Sequence, residues 1–280
     1  MRFVAAFGIV WAHVQAPFAA EGYVALALFL VLTGFLSVQS LARGGVRRFW
    51  LGRLIRFFLP WLVWSAVFLG VAVLRGGWVQ VLSLPPLWLL IGPSIHLWFL
   101  PFIILTSPLV ILVHKRLTNP NRVWLAAICA VPVAVWAVWA HDAAVLPEPL
   151  AQWAFATMPL LYGLLSAIGQ QYRATAAAMV FAVFTCSVSY FWFGSPVAPF
   201  LFFAAIVFEG LWRIDLQSPR MASLGTLAFG IYLMHPFFML VWYHFGGADQ
   251  SKVAAAVAIF AASACGTALL RLVPAGRIVA

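Results

Sequence analysis

Apolar stretches of about twenty residues, the length of a membrane-spanning helix, recur along the whole chain. Of the 280 residues, 65% are hydrophobic and 8% are charged, and Asp and Glu together number only 6. A globular domain usually carries about a quarter of its residues as charged side chains. A chain with so few charges places most of its surface against lipid. The sequence therefore predicts an all-α polytopic membrane protein.

Ten candidate membrane helices lie between the clusters of arginine, glycine, proline and acidic residues that interrupt the apolar stretches. Each comes close to the roughly 20 residues that a helix needs to cross a bilayer. They are predicted at about residues 2–19, 23–41, 55–74, 96–113, 122–140, 150–169, 174–193, 197–212, 222–245 and 252–272. Because no long linker or polar region separates them, we expect a single transmembrane domain over residues 1–280.

Lysine and arginine are distributed unevenly between the two ends of these helices. With a cytoplasmic N-terminus, ten spans place 14 of the 16 basic residues inside and leave Arg75 and Lys252 outside. Basic loops remain in the cytoplasm, so both termini are predicted to be cytoplasmic. Anionic lipid headgroups then account for the net charge of +10, and we expect membrane lipids rather than nucleic acid as partners.

Two histidines are predicted deep in apolar helices. His13 lies eleven residues after Arg2 in MRFVAAFGIVWAHVQ, which is three helical turns plus about 20°, so the two side chains share a helix face. His235 lies in FGIYLMHPFF, with Tyr232 on the same face and with Pro236, which leaves a backbone carbonyl without its helical donor. An ionisable group at this depth indicates a functional site, so His13, His235 and Arg2 are candidate catalytic residues. The alternative for His13 is a neutral imidazole that only joins two helices through a hydrogen bond.

Four further residues are candidates for substrate binding: Tyr232, and three residues near the predicted outer surface, Glu21, His96 and Trp98. His96 opens the segment HLWFLPF, in which Trp98 has the position of an interfacial belt residue. Glu21 lies in a short outer loop eight residues after His13, where it either orients an acceptor or the imidazole, or is a solvated acid. The three cysteines lie in separate apolar stretches without CxxC spacing, so no disulfide or metal site is expected.

A basic segment follows the second predicted helix, in ARGGVRRFWLGRLIRFFLPWL. Arg53 and Arg56 are three residues apart at the start of a helix, which predicts neighbouring guanidinium groups, and Arg47 and Arg48 precede them. Guanidinium groups bind phosphate through two parallel hydrogen bonds, so a cytoplasmic polyphosphate ligand fits this segment. The alternative is a topology signal that contacts only lipid phosphates.

Several stretches, taken in order, resemble the bacterial transmembrane acyltransferases of type 3, which O-acylate extracytoplasmic glycans. They are R-x10-H at Arg2 and His13, LFLVLTGFL, RLIRFFLPWL, HLWFLPF and IYLMHPF. The resemblance implies a ten-helix acyltransferase of the bacterial inner membrane, with acyl-CoA, usually acetyl-CoA, as co-substrate and no permanently bound cofactor. It also implies a catalytic role for the first-helix histidine. Where the family often has G-V-D this chain has Ala25, Leu26 and Ala27, and Thr33 replaces the usual serine, so no role for an acid at position 27 transfers.

Two functions remain open on the sequence. The first is transfer of an acyl group from acyl-CoA, bound by Arg53 and Arg56 with Arg47 or Arg48, to a hydroxyl of an envelope or lipid-linked glycan. In this reaction His13 acts as the base or forms an acyl-imidazole. The second is a transporter or flippase for a lipid-linked saccharide, in which His13 and His235 relay protons.

Overall fold

The computed structural model describes residues 1–76, 87, 90–214, 218–246 and 251–279, and within these ranges the chain is helical without a β-strand. A π-helical turn, Leu54–Phe58, and a 3₁₀ turn, Ile95–Trp98, precede two of the helices. The α-helices are α1 Arg2–His13, α2 Gly22–Arg53, α3 Leu59–Leu74, α4 Phe99–Leu105, α5 Ser107–Arg116, α6 Pro120–Asp142, α7 Leu150–Gln171, α8 Thr175–Phe193, α9 Ala198–Arg213, α10 Pro219–His244, α11 Lys252–Leu270 and α12 Gly276–Val279.

Seven helical segments of the described residues are long and apolar enough to cross a membrane, so the chain is a multi-pass membrane protein. One of them, Ala19–Leu74, runs for 56 residues. At about 1.5 Å per residue it has the length for two crossings. It is interrupted at Gly45, whose φ of 68° breaks the helical backbone. The count of ten spans and the cytoplasmic termini stay predictions.

The predicted helix 96–113 is divided in the structure. It consists of the 3₁₀ turn, α4 and α5, and the α-helical pattern is interrupted at Thr106. Pro108 follows two residues later, at the start of α5. Its ring lacks an N–H group and restricts the preceding residue, which explains the break.

The described residues group into two compact units. The first comprises Met1–Leu26, Leu54–Pro101 and Ile214–Ala280, and the second Ala27–Arg53 and Phe102–Arg213. In the second unit, the hydroxyl of Tyr162 donates to Glu209, which also pairs with Arg213 at 3.3 Å. The extent of the domain, predicted as residues 1–280, stays a prediction.

The core of the first unit is formed by α1, α10 and α11. Buried small and branched side chains from the three helices meet there; they are Ala6, Val10, Val14, Ala16, Ala228, Ile231, Ala255, Ala256 and Ile259. Helices α10 and α11 approach closely at Gly230, where an added Cβ would collide with the side chain of Thr267. Small residues allow such close packing of membrane helices. This packing brings the end of α1 against the middle of α10, where the two predicted histidines lie.

Candidate active site

His13 is the last residue of α1, which differs from the prediction of a helix extending to residue 19. Pro17 explains the difference, because its ring in a continuing helix would clash with the carbonyl group of residue 13. The residue is partly exposed, although the neighbouring Val10 and Val14 are buried. Its Nδ1 lies 2.9 Å from the carbonyl oxygen of Ile9, one turn earlier in α1. A carbonyl oxygen only accepts hydrogen bonds, so Nδ1 of His13 carries a hydrogen.

His235 is fully buried in α10, and the neighbouring proline determines its hydrogen bonding. Pro236 has no N–H group, so the carbonyl of Tyr232, four residues before it, lacks its helical donor. Nδ1 of His235 lies 2.7 Å from that carbonyl oxygen and donates to it. In the neutral ring, Nε2 of His235 is therefore the nitrogen with a free lone pair.

The two histidines face each other across 222 positions of sequence. Nε2 of His235 lies 3.2 Å from Nδ1 of His13, and the ring centroids are 4.9 Å apart. Given the two tautomers, the Nδ1 hydrogen of His13 is shared between the lone pair of His235 and the carbonyl of Ile9. Nε2 of His13 then carries the available lone pair, and within the described residues it forms no hydrogen bond. The pair is suited to accept a proton at Nε2 of His13.

His96 is the third histidine of this cluster. It is buried in the 3₁₀ turn, and its ring centroid lies 5.8 Å from that of His235. Its Nδ1 lies 2.7 Å from the hydroxyl of Ser94, and the carbonyl of Leu233 lies near the ring. Its Nε2 is buried and forms no hydrogen bond of normal geometry within the described residues. The imidazole rings of His13, His96 and His235 thus lie together in the first unit. Their positions in the sequence did not predict this grouping.

Tyr232 and Trp98 have structural contacts that the sequence analysis did not anticipate. The hydroxyl of Tyr232 donates to the backbone carbonyl of His96 and joins α10 to the 3₁₀ turn. Tyr232 is buried, with its hydroxyl engaged in this hydrogen bond. Trp98, predicted as an interfacial belt residue, is also buried, and its ring lies 6.1 Å from that of Phe99. Contact of Tyr232 or Trp98 with a substrate stays a prediction.

The arginines predicted to bind phosphate differ in their surroundings. Arg53 is buried, and it donates to the hydroxyl of Ser37 at 2.5 Å and lies 4.4 Å from the ring centre of Phe49. Arg56 is exposed. The helix changes to π geometry at Leu54, between the two residues, and the guanidinium of Arg53 is engaged inside the second unit. That Arg53 and Arg56 lie side by side stays a prediction.

Arg56 instead interacts electrostatically with Arg2, in the first unit. Both side chains are exposed, and neither forms a salt bridge within the described residues. Two guanidinium groups that repel each other favour an anion between them. Arg47 and Arg48 are exposed on α2 after the break at Gly45, where they are accessible to phosphate groups of a ligand or of lipid.

Glu21 is exposed at the end of a short 3₁₀ turn, Ala19–Glu21. It lines a cavity of about 300 Å³ together with residues of α1, among them Phe7 and Trp11. No contact with His13 is formed, so a role for Glu21 in orienting the imidazole or an acceptor stays a prediction. The contact of Ser94 with His96 was not predicted from the sequence. Its position two residues before His96 was the available signal.

The sequence model of the acyltransferase 3 family, described as an acyltransferase domain, matches residues 1–272. No curated protein sequence and no solved structure matches the chain significantly. The family match includes α1, α10 and the whole histidine cluster described above. The chain therefore belongs to the acyltransferase 3 family and is a membrane acyltransferase.

Proposed function

We propose that this protein moves an acyl group from cytoplasmic acyl-CoA to a hydroxyl of an envelope or lipid-linked glycan, with His13 as the general base. The observation that carries the proposal is the pair of His13 and His235. Their hydrogen bonds to the carbonyls of Ile9 and Tyr232 leave a lone pair on Nε2 of His13, at a residue that is partly exposed. Imidazole is also the side chain whose ordinary pKa lies nearest neutrality, which suits proton transfer.

In the proposed reaction, His13 carries the proton of the acceptor hydroxyl to the leaving thiolate. The acceptor oxygen attacks the thioester carbonyl carbon as its hydroxyl proton passes to Nε2 of His13. The carbon–sulfur bond then breaks, and the proton on His13 passes to the leaving CoA thiolate. His235 accepts the Nδ1 hydrogen bond of His13 throughout, and it stabilises the imidazolium that forms. His235 is thus a positioning residue, whereas His13 contacts the reacting atoms.

The donor is expected to be acetyl-CoA, bound as a co-substrate through its phosphates. The support is the pair of exposed guanidinium groups of Arg2 and Arg56, which interact with each other and form no salt bridge within the described residues. Arg47 and Arg48 are exposed, and their role in binding the phosphates of the donor stays a prediction. Arg2 belongs to the helix that ends at His13, and a helix of 12 residues is about 18 Å long. A CoA arm lying along α1 would connect these arginines to His13.

The proposed location is the bacterial inner membrane, because acyl-CoA is cytoplasmic while the glycan acceptor is outside. The competing hypothesis is a flippase for a lipid-linked saccharide, with the histidines as a proton relay. Membership of an acyltransferase family favours the enzyme. The difference is chemical, since an acyltransferase releases free CoA when the acceptor is present and a flippase does not.

The test compares envelope glycans from cells that contain the protein, lack it, or carry His13→Gln. Mass spectrometry is expected to find one added acyl mass only with the unchanged protein. His114→Gln, a histidine on α5, is the matched control and should retain the product. Glutamine can form hydrogen bonds but is not a base, so an active His13→Gln protein would contradict the general-base proposal. General-base catalysis contributes about 10²- to 10⁴-fold to the rate, which makes its loss measurable.

Mass spectrometry of the peptide that contains His13, after acid quenching with acetyl-CoA alone, tests the remaining chemical alternative. Added acetyl mass on His13 would replace direct transfer with an acyl-imidazole intermediate. Its absence is the result expected for a general base.

A further inference from the structure

A cavity of about 740 Å³ opens in the first unit between α3, the segment before the 3₁₀ turn, and the second half of α10. Pockets for small ligands typically measure roughly 300–1,000 Å³. The lining combines apolar and aromatic side chains with a few polar groups, as in many ligand sites. The residues are Phe68, Val71, Ala72, Arg75, Pro93, Ser94, Pro236, Met239, Leu240, Tyr243 and His244.

Residues that line this cavity contact the histidine cluster, one of them through a hydrogen bond. Ser94 lines the cavity, and its hydroxyl lies 2.7 Å from Nδ1 of His96. Phe68 also lines it and packs edge-on against the His96 ring, with 4.9 Å between centroids. Pro236 lines it and follows His235 in α10. The cavity and the histidine cluster therefore share a wall, formed in part by Phe68, Ser94 and Pro236.

Among the residues that the structure describes, the charged side chains at this cavity are basic. Arg75 contributes to the lining, which contains no Asp or Glu among the described residues. Lys252, the first residue of α11, places its amino group 5.4 Å from the ring centre of Tyr243, another lining residue. Arg75 and Lys252 are the two basic residues that the predicted topology leaves outside, against the positive-inside preference. A shared anionic ligand gives a physical reason for both exceptions.

We infer that this cavity binds the charged part of the acceptor, beside the histidine cluster that its reacting hydroxyl must reach, and that the acceptor is a saccharide bearing a negative charge, as a carboxylate or a phosphate. The inference rests on the proposed function and adds the substrate class. Arg75 and Lys252 would hold the anionic group, while the aromatic faces of Tyr243 and Phe68 contact the apolar face of a sugar ring. The chemistry is shared by acidic polysaccharides and lipid-linked sugar phosphates.

The charge of the cavity can be measured without knowing the acceptor. Ala72 lines the cavity one helical turn before Arg75, so Ala72→Cys introduces a thiol with little change in volume. The full-length protein in native membranes is treated with an anionic sulfonate or a cationic ammonium methanethiosulfonate reagent. Labelling at position 72 is followed by peptide mass spectrometry. We expect the anionic reagent to react about fivefold faster than the cationic one, as for exposed charges at short range.

Removal of the two charges provides the matched comparison. In the Ala72→Cys background, Arg75→Gln and Lys252→Gln should each reduce the anionic preference, and Lys115→Gln, a basic residue on α5, should leave it unchanged. Ala143→Cys, at the end of α6, reports an exposed thiol away from the cavity and should not prefer the anionic reagent. An absent preference at position 72, or one that survives both charge removals, would overturn the anionic assignment.

The second readout is acyl transfer to the endogenous acceptor in the same membranes. Complete labelling of Ala72→Cys should abolish transfer while acetyl-CoA binding persists, and labelled Ala143→Cys should remain active. Full transfer after labelling would show that the acceptor does not occupy the cavity. Partition of the acylated product between lipid extract and aqueous phase distinguishes a lipid-linked sugar from a polysaccharide. Absence of any transfer by the unlabelled protein would contradict the proposed function, whereas the ratio of labelling rates would still test the charge of the cavity.

Discussion

Replacement of His235 separates its role as a hydrogen-bond acceptor from its role in packing. Nε2 of His235 accepts from Nδ1 of His13 at 3.2 Å, and the side chain is fully buried. His235→Leu introduces an apolar side chain of similar size and removes the nitrogen that accepts the hydrogen bond from His13. His235→Gln keeps an oxygen at the end of the side chain that can accept the same hydrogen. The two variants are therefore expected to differ in activity more than in folding.

The expected loss follows from the charge that forms on His13. When His13 holds the proton, the hydrogen bond to His235 becomes charge-assisted, and such bonds contribute about 1.5–3 kcal/mol. About 1.4 kcal/mol of activation free energy corresponds to a tenfold change in rate. His235→Leu should thus lower kcat by about 10- to 150-fold, with the KM for acetyl-CoA unchanged. His235→Gln should recover most of this loss.

The assay follows CoA release by purified protein supplied with acetyl-CoA and envelope extract, together with the melting temperature of each variant. Full activity of His235→Leu would refute the positioning role. Equal inactivity of His235→Leu and His235→Gln, with melting temperatures lowered together, would assign His235 to packing alone.

The remaining predictions concern the donor site and the topology. Arg56→Gln should raise the KM for acetyl-CoA by about tenfold or more through a lost charge-assisted hydrogen bond, without altering the melting temperature. Arg53→Gln should lower the melting temperature and leave that KM unchanged, because its guanidinium is buried; the opposite pattern would restore the phosphate-binding role of Arg53. Reporter fusions after Gly44 and Asn119 should give cytoplasmic signals, and one after Gly247, which lies outside the described residues, an external signal. Reversal at two of these three sites would contradict the predicted orientation.

Features that depend only on residues close in sequence could be predicted. Membrane helices follow from apolar stretches alone, because a helix satisfies its own backbone hydrogen bonds in lipid. The freed carbonyl near His235 follows from Pro236, and the structure shows how it is used, by Nδ1 of the same histidine. Pro17 and Pro108 likewise contained the information for the end of α1 and for the break before α5, although the apolar pattern continued through both.

Side-chain environments were not predictable in the same way. The i,i+3 spacing of Arg53 and Arg56 did not indicate that Arg53 is buried while Arg56 is exposed, and a π turn begins between them. Trp98 has the sequence position of an interfacial residue but is covered by other side chains. In both cases the deciding contacts come from segments distant in sequence or from a local change of helix type.

The sequence by itself determined that this chain spans a membrane, that it carries histidines within apolar segments, and that it resembles acyltransferases. Only the tertiary structure brought His13 to 3.2 Å from His235, across 222 positions. The reason is that helix packing depends on the shapes of entire faces, such as the close approach at Gly230. Local sequence determines where helices form and that Nδ1 of His13 donates to Ile9 within α1, whereas the packing of α1 against α10 determines that His235 also accepts from this nitrogen.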